Sequence, residues 1–155
     1  MTESSIPEVS EFGSVDPAPP STEVEIGTLK EILNNEDERM FLRMRSVFSL
    51  RNIGGEEAIS ALCSAFSSDS ALLRHELAYV LGQMQDSRAL PSLYERLADA
   101  NEHVMVRHEA AEAMGAIGNQ DSRAILQDFL NDPAIEVAES CEVALDLLDH
   151  HLNNS

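Results

Sequence analysis

Apolar residues recur along most of the chain at intervals of three and four positions, which places them on one face of an α-helix. The pattern begins with Leu29, Ile32 and Leu33, which share such a face. Polar or glycine-containing stretches, such as residues 67 to 70, interrupt it at regular distances. The spacing therefore predicts an all-α domain over residues 28 to 149, with eight helices arranged in four pairs.

The tripeptide Arg-His-Glu occurs twice, at residues 74–76 and 107–109, which are 33 positions apart. The same apolar pattern follows each copy. A repeat of this length is one helical hairpin, which buries its apolar face by stacking on its neighbours. The same register holds Met44-Arg45 in the first hairpin and Glu139-Ser140 in the last. Only the two middle hairpins therefore carry the His-Glu pair.

The repeat length of 31 to 33 residues indicates a HEAT-like α-solenoid of four helical hairpins. Ankyrin and tetratricopeptide arrays have signature residues that this chain lacks. The core of the two middle hairpins is predicted to contain Leu77, Val80, Leu81, Ala110, Ala113, Met114 and Ile117.

The segments on either side of the repeats differ from them in composition. Residues 1 to 27 begin with a stretch rich in Ser, Glu and Pro, which cannot bury enough apolar surface to offset its ordering entropy. We therefore predict that they form a disordered arm or linker. Residues 150 to 155 are predicted to form a frayed tail, because chain ends are poorly ordered unless other elements hold them.

The charge balance restricts the class of partner. The 155 residues include 28 acidic and 10 basic ones, which gives a net charge of −18. Such a surface repels the phosphate backbone of nucleic acids and attracts a basic protein or a cationic side chain. No apolar run has the roughly 18 to 20 residues of a membrane span. Cys63 and Cys141 are expected to be buried free thiols, which indicates a reducing, cytoplasmic location.

The repeated His-Glu pair is the candidate for chemistry. Neighbouring helices in a stack lie about 8 to 10 Å apart, so His75 and His108 could converge on one metal ion. Two imidazoles and one carboxylate form the facial triad of non-haem iron, and zinc accepts the same donors. The alternative is a solvated helix face, which is the ordinary role of a single His-Glu pair. Recurrence of three residue types at one register gives a metal or ligand site equal weight with the solvated face, and the residues alone leave both interpretations open.

The other histidines and the two arginines have simpler interpretations. His103 precedes a helix, and His150 and His151 lie in the tail, so all three are expected to be exposed. Arg74 and Arg107 are expected to pair with acidic neighbours or to cap helix carbonyls. Phosphate loops, CxxC and HExxH motifs and nucleophile elbows do not occur in the sequence.

Four stretches of the sequence resemble deoxyhypusine hydroxylase, within a similarity that covers about residues 14 to 149. These stretches are residues 51–55, 70–83, 105–117 and 139–145, and they include both His-Glu pairs. The resemblance implies a HEAT-repeat di-iron monooxygenase that uses dioxygen as co-substrate. Its implied reaction is hydroxylation of the deoxyhypusine side chain of eukaryotic translation initiation factor five A, which completes hypusine.

The resemblance also implies roles for individual residues. His75, His108 and Glu109 are expected to ligate one Fe²⁺ ion. Glu76 is the expected catalytic residue, and it belongs to the same metal-binding group, beside the ligands or the substrate amine.

Members of this family have two halves that face each other across two irons, whereas this chain resembles the C-terminal half alone. Residues 14 to 20 are similar to the linker that joins the halves. We therefore expect a half-size chain or fragment that needs a second half, either another copy or a separate chain. The alternatives are a non-catalytic HEAT-like interaction module that binds a basic protein, with or without one metal ion, and a mononuclear metal protein.

Overall fold

The computed structural model describes residues 16 to 153, which contain eight α-helices and no β-strand. The helices are α1 (Ile26–Asn34), α2 (Met40–Ile53), α3 (Gly55–Ser64), α4 (Ala71–Met84), α5 (Leu90–Ala98), α6 (Val104–Ile117), α7 (Arg123–Asp128) and α8 (Ile135–Asn153). The all-α fold predicted from the apolar spacing is confirmed. None of these helices is both long and apolar enough to cross a membrane.

The helices form two layers. In the inner layer, α4 packs between α2 and α6, and α6 packs between α4 and α8. In the outer layer, α1 packs on α2, α5 on α6 and α7 on α8, while α3 contacts both α2 and α4. Residues 16 to 153 therefore contain a stack of four helical hairpins, which confirms the predicted HEAT-like solenoid.

Leucines make up most of the largest fully buried side chains. The buried members of the predicted core are Leu77, Val80, Leu81, Ala110, Ala113 and Met114. Ile117 is only partly buried, because α6 ends at this residue and its side chain lies at the edge of the core. Cys141 is buried and Cys63 is half-buried, and both are free thiols. Burial raises the pKa of the Cys141 thiol to about 11, so this thiol stays protonated.

Residues 16 to 25, here called the strap, lie against α2. Arg51 donates to both carboxylate oxygens of the buried Asp16, at 3.0 and 2.8 Å. The backbone N–H of Ser21 donates to the hydroxyl oxygen of Ser49 at 2.7 Å. These contacts correct the prediction of a disordered arm for this part of the chain. The prediction for residues 1 to 15 lies outside the described residues.

Two arginines on α2, Arg45 and Arg51, hold the strap in place by donating hydrogen bonds to its oxygen atoms. Arg45 donates to the carbonyl oxygens of Pro19 and Pro20, at 3.2 and 2.9 Å. A guanidinium group has five N–H donors, and a partly buried one needs acceptors from a neighbouring segment. The composition of residues 1 to 27 predicted disorder because these residues include few apolar ones. The arginines that bind the strap lie on α2, so the composition of the arm could not reveal them.

The C-terminal helix continues through Asn153, so residues 150 to 153 are helical where a frayed tail was predicted. The loop after α6 holds this end of α8. The side-chain amide of Gln120 donates to the carbonyl oxygen of Leu148 at 3.1 Å, and the ring of His151 lies beside Gly118. The predicted exposure of His103, His150 and His151 is confirmed.

Two glycines let the inner helices approach closely. A Cβ atom on Gly82 of α4 would lie 2.9 Å from the Cα atom of Ala113 on α6. A Cβ atom on Gly115 of α6 would lie 3.1 Å from the Cα atom of Ala144 on α8. The two glycines occupy the same register in successive hairpins. Their missing side chains set the spacing of the helices from which the histidines project.

Arginines at a common register connect successive hairpins. Nε of Arg107 donates to the carbonyl oxygen of Leu97 at 2.9 Å, and Nη2 lies 2.5 Å from Oδ2 of Asp132. Arg74 donates to both carboxylate oxygens of Glu102, at 3.0 and 2.8 Å. The predicted pairing of both arginines with acidic residues is confirmed, and Arg107 also binds a carbonyl near the end of α5.

Replacing Gly82 with Ala is expected to destabilise the protein by about 1 to 3 kcal/mol, because the new Cβ atom would collide with the backbone of α6. Gly27→Ala is the matched control, since no atom lies within 4 Å of a Cβ at that position and alanine favours a helix. Urea unfolding followed by circular dichroism measures both variants. Equal stability of the two would contradict the close-packing role of Gly82.

Asp132→Asn is expected to lower the free energy of unfolding by about 1 to 3 kcal/mol at neutral pH, because it leaves Arg107 without its charged partner. The asparagine keeps the oxygen that accepts from the backbone N–H of Ala134. Arg107 lowers the pKa of Asp132, so the contribution of the pair is present above the ordinary Asp pKa of about 4.

This contribution is lost as the pH falls through the lowered pKa, so the difference between Asp132→Asn and the unchanged protein should shrink in acid. Urea unfolding at neutral pH and at a pH below that pKa measures the difference. The exposed Asp128 provides the control Asp128→Asn, which should change stability little at either pH. A difference that stays constant with pH would show that the charge of Asp132 does not stabilise the fold.

Candidate metal centre

The His-Glu pairs lie at equivalent positions along α4 and α6, because both helices begin at an N-cap five residues before the histidine. His75 follows Ser70, the N-cap of α4, by five residues, and His108 follows His103, the N-cap of α6, by five residues. Each cap accepts a hydrogen bond at 3.1 Å from a backbone N–H of the first turn. Because α4 and α6 are neighbours and start at equivalent positions, both histidines lie in the second turn of their helices.

Glu109 lies between the two imidazoles. Its Oε1 atom is 3.3 Å from Nε2 of His75 and 4.0 Å from Nε2 of His108. The three side chains are mostly buried, with 27%, 24% and 13% of their surface exposed for His75, His108 and Glu109. Glu109 thus lies near both of the histidines that the sequence predicts as its partners, and both rings turn the same nitrogen toward its carboxylate.

The hydrogen bonds of Ser140 determine which nitrogen of His108 carries a hydrogen. Ser140 donates its hydroxyl proton to the carbonyl oxygen of Glu136 at 2.6 Å. Its Oγ atom also pairs with Nδ1 of His108, and with its own proton already used it must accept there. Nδ1 of His108 is therefore the N–H group, and the lone pair of Nε2 faces Glu109.

Glu76 has the corresponding position beside His75. Its Oε1 atom is 3.6 Å from Nδ1 of His75, on the opposite side of the ring from Glu109. Histidines that bind metals almost always donate their other ring N–H to a carboxylate, a carbonyl or water. This geometry gives Glu76 an orienting contact with the ring and places Glu109 on the ligand side.

The carboxylates change the proton affinity of the site. Hydrogen bonding to Glu109 and then to Glu76 raises the pKa of His75 to about 9, against the opposing effect of burial. With protein groups alone, His75 is therefore protonated at neutral pH. A metal ion that binds to Nε2 must replace this proton, so metal binding at this site releases protons.

Sequence reasoning missed Glu112 as a member of the site. Its Oε1 atom is 3.4 Å from Nε2 of His108, one helical turn away on α6. One ligand atom from each of His108, Glu109 and Glu112 lies within 4.8 Å of the others. The side chain of Glu112 is half-exposed, its partial burial raises its pKa, and the charge of Glu109 adds to the effect. The i,i+4 spacing from His108 was the signal that could have found this residue.

Two grooves open beside the cluster. The larger has a volume of about 340 Å³ and extends from Glu112 along Ala113 and Leu147. The smaller has a volume of about 330 Å³ and lies between His108, Glu112 and Glu139. Glu112 lines both, so carboxylates stand at one end of a mainly apolar groove.

The donor set suits a divalent transition metal. Imidazole nitrogen and carboxylate oxygen together are the usual ligands of non-haem Fe²⁺, and Zn²⁺ accepts them too. Ligand atoms of His108, Glu109 and Glu112 lie within 4.8 Å of one another, whereas His75 reaches this group through Glu109, whose Oε1 atom is 3.3 Å from its Nε2 atom. Metal binding by these residues remains a prediction, and so does the choice between iron and zinc.

Comparison with known proteins identifies the class. Residues 64–146 match the family model described as HEAT repeats, and residues 42–68 match one described as PBS lyase HEAT-like repeat. The chain belongs to the HEAT-repeat family. Within it, the chain is similar to deoxyhypusine hydroxylases, which confirms the resemblance drawn from the repeated motif.

The similarity covers nearly the whole chain. The chain is 50% identical to deoxyhypusine hydroxylase of Homo sapiens over 144 residues, which cover 93% of this chain and 48% of the relative. It is 55% identical to that of Drosophila pseudoobscura pseudoobscura over 122 residues, which cover 79% of this chain and 40% of the relative. The solved structure of human deoxyhypusine hydroxylase in complex with glycerol matches with a TM-score of 0.87 at 50% identity, and the match covers 93% of this chain and 50% of that chain. The chain spans about half the length of the curated relatives that it matches.

Ser140→Ala is expected to weaken Zn²⁺ or Fe²⁺ binding by about 10- to 100-fold, because it removes the group that keeps Nε2 of His108 available. Ser60→Ala, on the exposed side of α3, is the matched control. Isothermal titration calorimetry of the two variants and the unchanged protein measures the affinities. Unchanged affinity in Ser140→Ala would contradict the orienting role of Ser140.

Proposed function

We propose that this chain supplies one half of an iron-dependent deoxyhypusine monooxygenase and needs a second half for activity. One observation carries the proposal: Oε1 of Glu109 lies 3.3 Å from Nε2 of His75 and 4.0 Å from Nε2 of His108. This arrangement occurs in a chain that is 50% identical to human deoxyhypusine hydroxylase. The activity, substrate and partner proposed here belong to the whole enzyme, of which the chain spans about half.

In this proposal His75, His108 and Glu109 hold one Fe²⁺ ion. Glu76 keeps His75 oriented through Nδ1 and is the proposed catalytic residue that binds the amine of the substrate. Ser140 keeps the Nε2 lone pair of His108 directed at the ion. Bound iron would supply the redox chemistry by which dioxygen hydroxylates an unactivated carbon.

The proposed substrate is the deoxyhypusine side chain of eukaryotic translation initiation factor five A. This side chain is an aliphatic amine with positive charge. The net charge of −18 favours its approach, and the larger groove offers carboxylates at one end and an apolar wall formed by Ala113, Ala144 and Leu147. We infer a cytoplasmic location from this substrate and from the free thiols of Cys63 and Cys141.

The need for a second half follows from the number of donors. A di-iron centre needs ligands for two ions, and the cleft offers two imidazoles and three carboxylates: His75, His108, Glu76, Glu109 and Glu112. Apolar side chains project beside it, since Leu72 is 58% exposed and Met105 is 42% exposed, each three residues before a histidine. We infer that a second copy or a separate chain covers this face and supplies the remaining ligands.

Charge opposes the pairing of two copies. Each copy carries −18, and pairing would bring six glutamates together at the two clefts. Divalent iron offsets this charge locally, and salt screens the remainder. We therefore infer that pairing is linked to iron binding.

The second candidate is a non-catalytic module that binds a basic protein and holds at most one metal ion. The charge of −18 on a HEAT-type solenoid favours it, because such surfaces recruit cationic partners rapidly. Two properties distinguish the candidates: only the first hydroxylates a substrate, and only the first needs iron for assembly.

Anaerobic Fe²⁺ loading of the purified chain is expected to convert a monomer into a paired form with two irons per pair. Light scattering with metal analysis measures both quantities, and a deoxyhypusine-containing factor tests hydroxylation of the paired form. His108→Ala should lose iron and pairing while keeping its helical circular dichroism spectrum, whereas the exposed His150→Ala should behave like the unchanged protein.

A strictly monomeric, iron-loaded chain with full hydroxylase activity would refute the paired mechanism. An inactive chain that remains monomeric under iron and binds a basic protein tightly would support the interaction module.

A further inference from the structure

We propose that Glu112 is itself a metal-ligating residue, which with His108 forms an i,i+4 chelate on α6. This inference rests on the proposed iron site, and it adds a ligand that neither the repeated motif nor the resemblance assigns. The carboxylate oxygen of Glu112 is nearer to Nε2 of His108 than that of Glu109 is, at 3.4 Å against 4.0 Å.

The distances suit one shared ion. Two ligand atoms bound at about 2.1 Å to the same ion lie at most about 4.2 Å apart. His108 and Glu112 already satisfy this limit, and the set of His108, Glu109 and Glu112 lies within 4.8 Å. Small rotations of two side chains therefore complete the set, and the backbone of α6 need not move.

The orientation of the ring supports a cation between these groups. Nδ1 of His108 donates to Ser140, so the lone pair of Nε2 faces the carboxylate oxygens of Glu109 and Glu112. Three electron-rich atoms that face one another are stabilised by a positive ion in their midst. The side chain of Glu112 is 49% exposed, but an ordinary surface ion pair would not need a ring whose other nitrogen is held by Ser140.

Among the inner helices α4, α6 and α8, only α6 has a carboxylate at the repeat position of Glu112. The same register holds Tyr79 on α4 and Val143 on α8. Glu76, the other nearby carboxylate, faces Nδ1 of His75, which is the side of the ring away from Glu109. The two carboxylates are therefore expected to differ: Glu112 binds the ion directly, whereas Glu76 contacts His75 and does not bind the ion.

Anaerobic Co²⁺ titration tests the proposal, because the visible spectrum of Co²⁺ reports its ligands independently of enzyme activity. Glu112→Gln is expected to weaken Co²⁺ binding at least about tenfold and to change the spectrum. Glu112→His is expected to restore tight binding, since it keeps a donor one turn from His108. Glu76→Gln should leave the spectrum unchanged, and Glu95→Gln, on the exposed side of α5, is the control for removal of one charge.

The outcomes separate this proposal from the proposed function. If Glu112→Gln keeps the spectrum of the unchanged protein, whether or not its affinity falls, Glu112 acts at most through its charge and the proposal is overturned. If in that case His108→Ala still loses Co²⁺, the metal centre of the proposed function stands. If His108→Ala also retains Co²⁺ with an unchanged spectrum, the metal centre itself is refuted.

Discussion

The close approach of α4 and α6 is the constraint on which the candidate site depends. Gly82 packs against the backbone at Ala113, two helical turns beyond His75. This contact lets Nε2 of His75 lie 3.3 Å from the carboxylate of Glu109 on the next hairpin. A larger side chain at the glycine register would separate the helices and the two polar groups with them. The chemistry of the cleft therefore depends on an apolar packing contact.

The second constraint is the separation of charges along the two helices. Arg74 and Arg107 immediately precede the histidines, yet they turn away to Glu102 and Asp132 in the loops. Their guanidinium groups thereby hold successive hairpins together and satisfy buried carboxylates. The cleft keeps Glu76, Glu109 and Glu112 around two imidazoles, which makes it acidic and suited to a cation.

The outer hairpins support the two that carry the donors. In α8, Ser140 occupies the position that corresponds to Glu76 and Glu109, and its hydroxyl group orients the ring of His108. In α2, Arg45 occupies that register and binds the strap. Arg51 extends this contact inward, since it bridges Asp16 of the strap to the side chain of Gln83 beside the larger groove. One register thus holds a proposed ligand, a hydroxyl that contacts His108 or an arginine that binds the strap, according to the hairpin.

The apolar spacing and the repeated tripeptide determined the helices, the hairpin register and the pairing of His75 with His108 on adjacent helices, because helical period and repeat length are local properties of the chain. The tertiary structure alone decided that Nε2 of each ring faces Glu109, that Ser140 holds the other nitrogen of His108, and that Glu112 joins the cluster. These features depend on rotamers and on distances between helices to within about 1 Å, which residue spacing does not specify. The order of the strap was decided in the same way, because the arginines that bind it lie on another element.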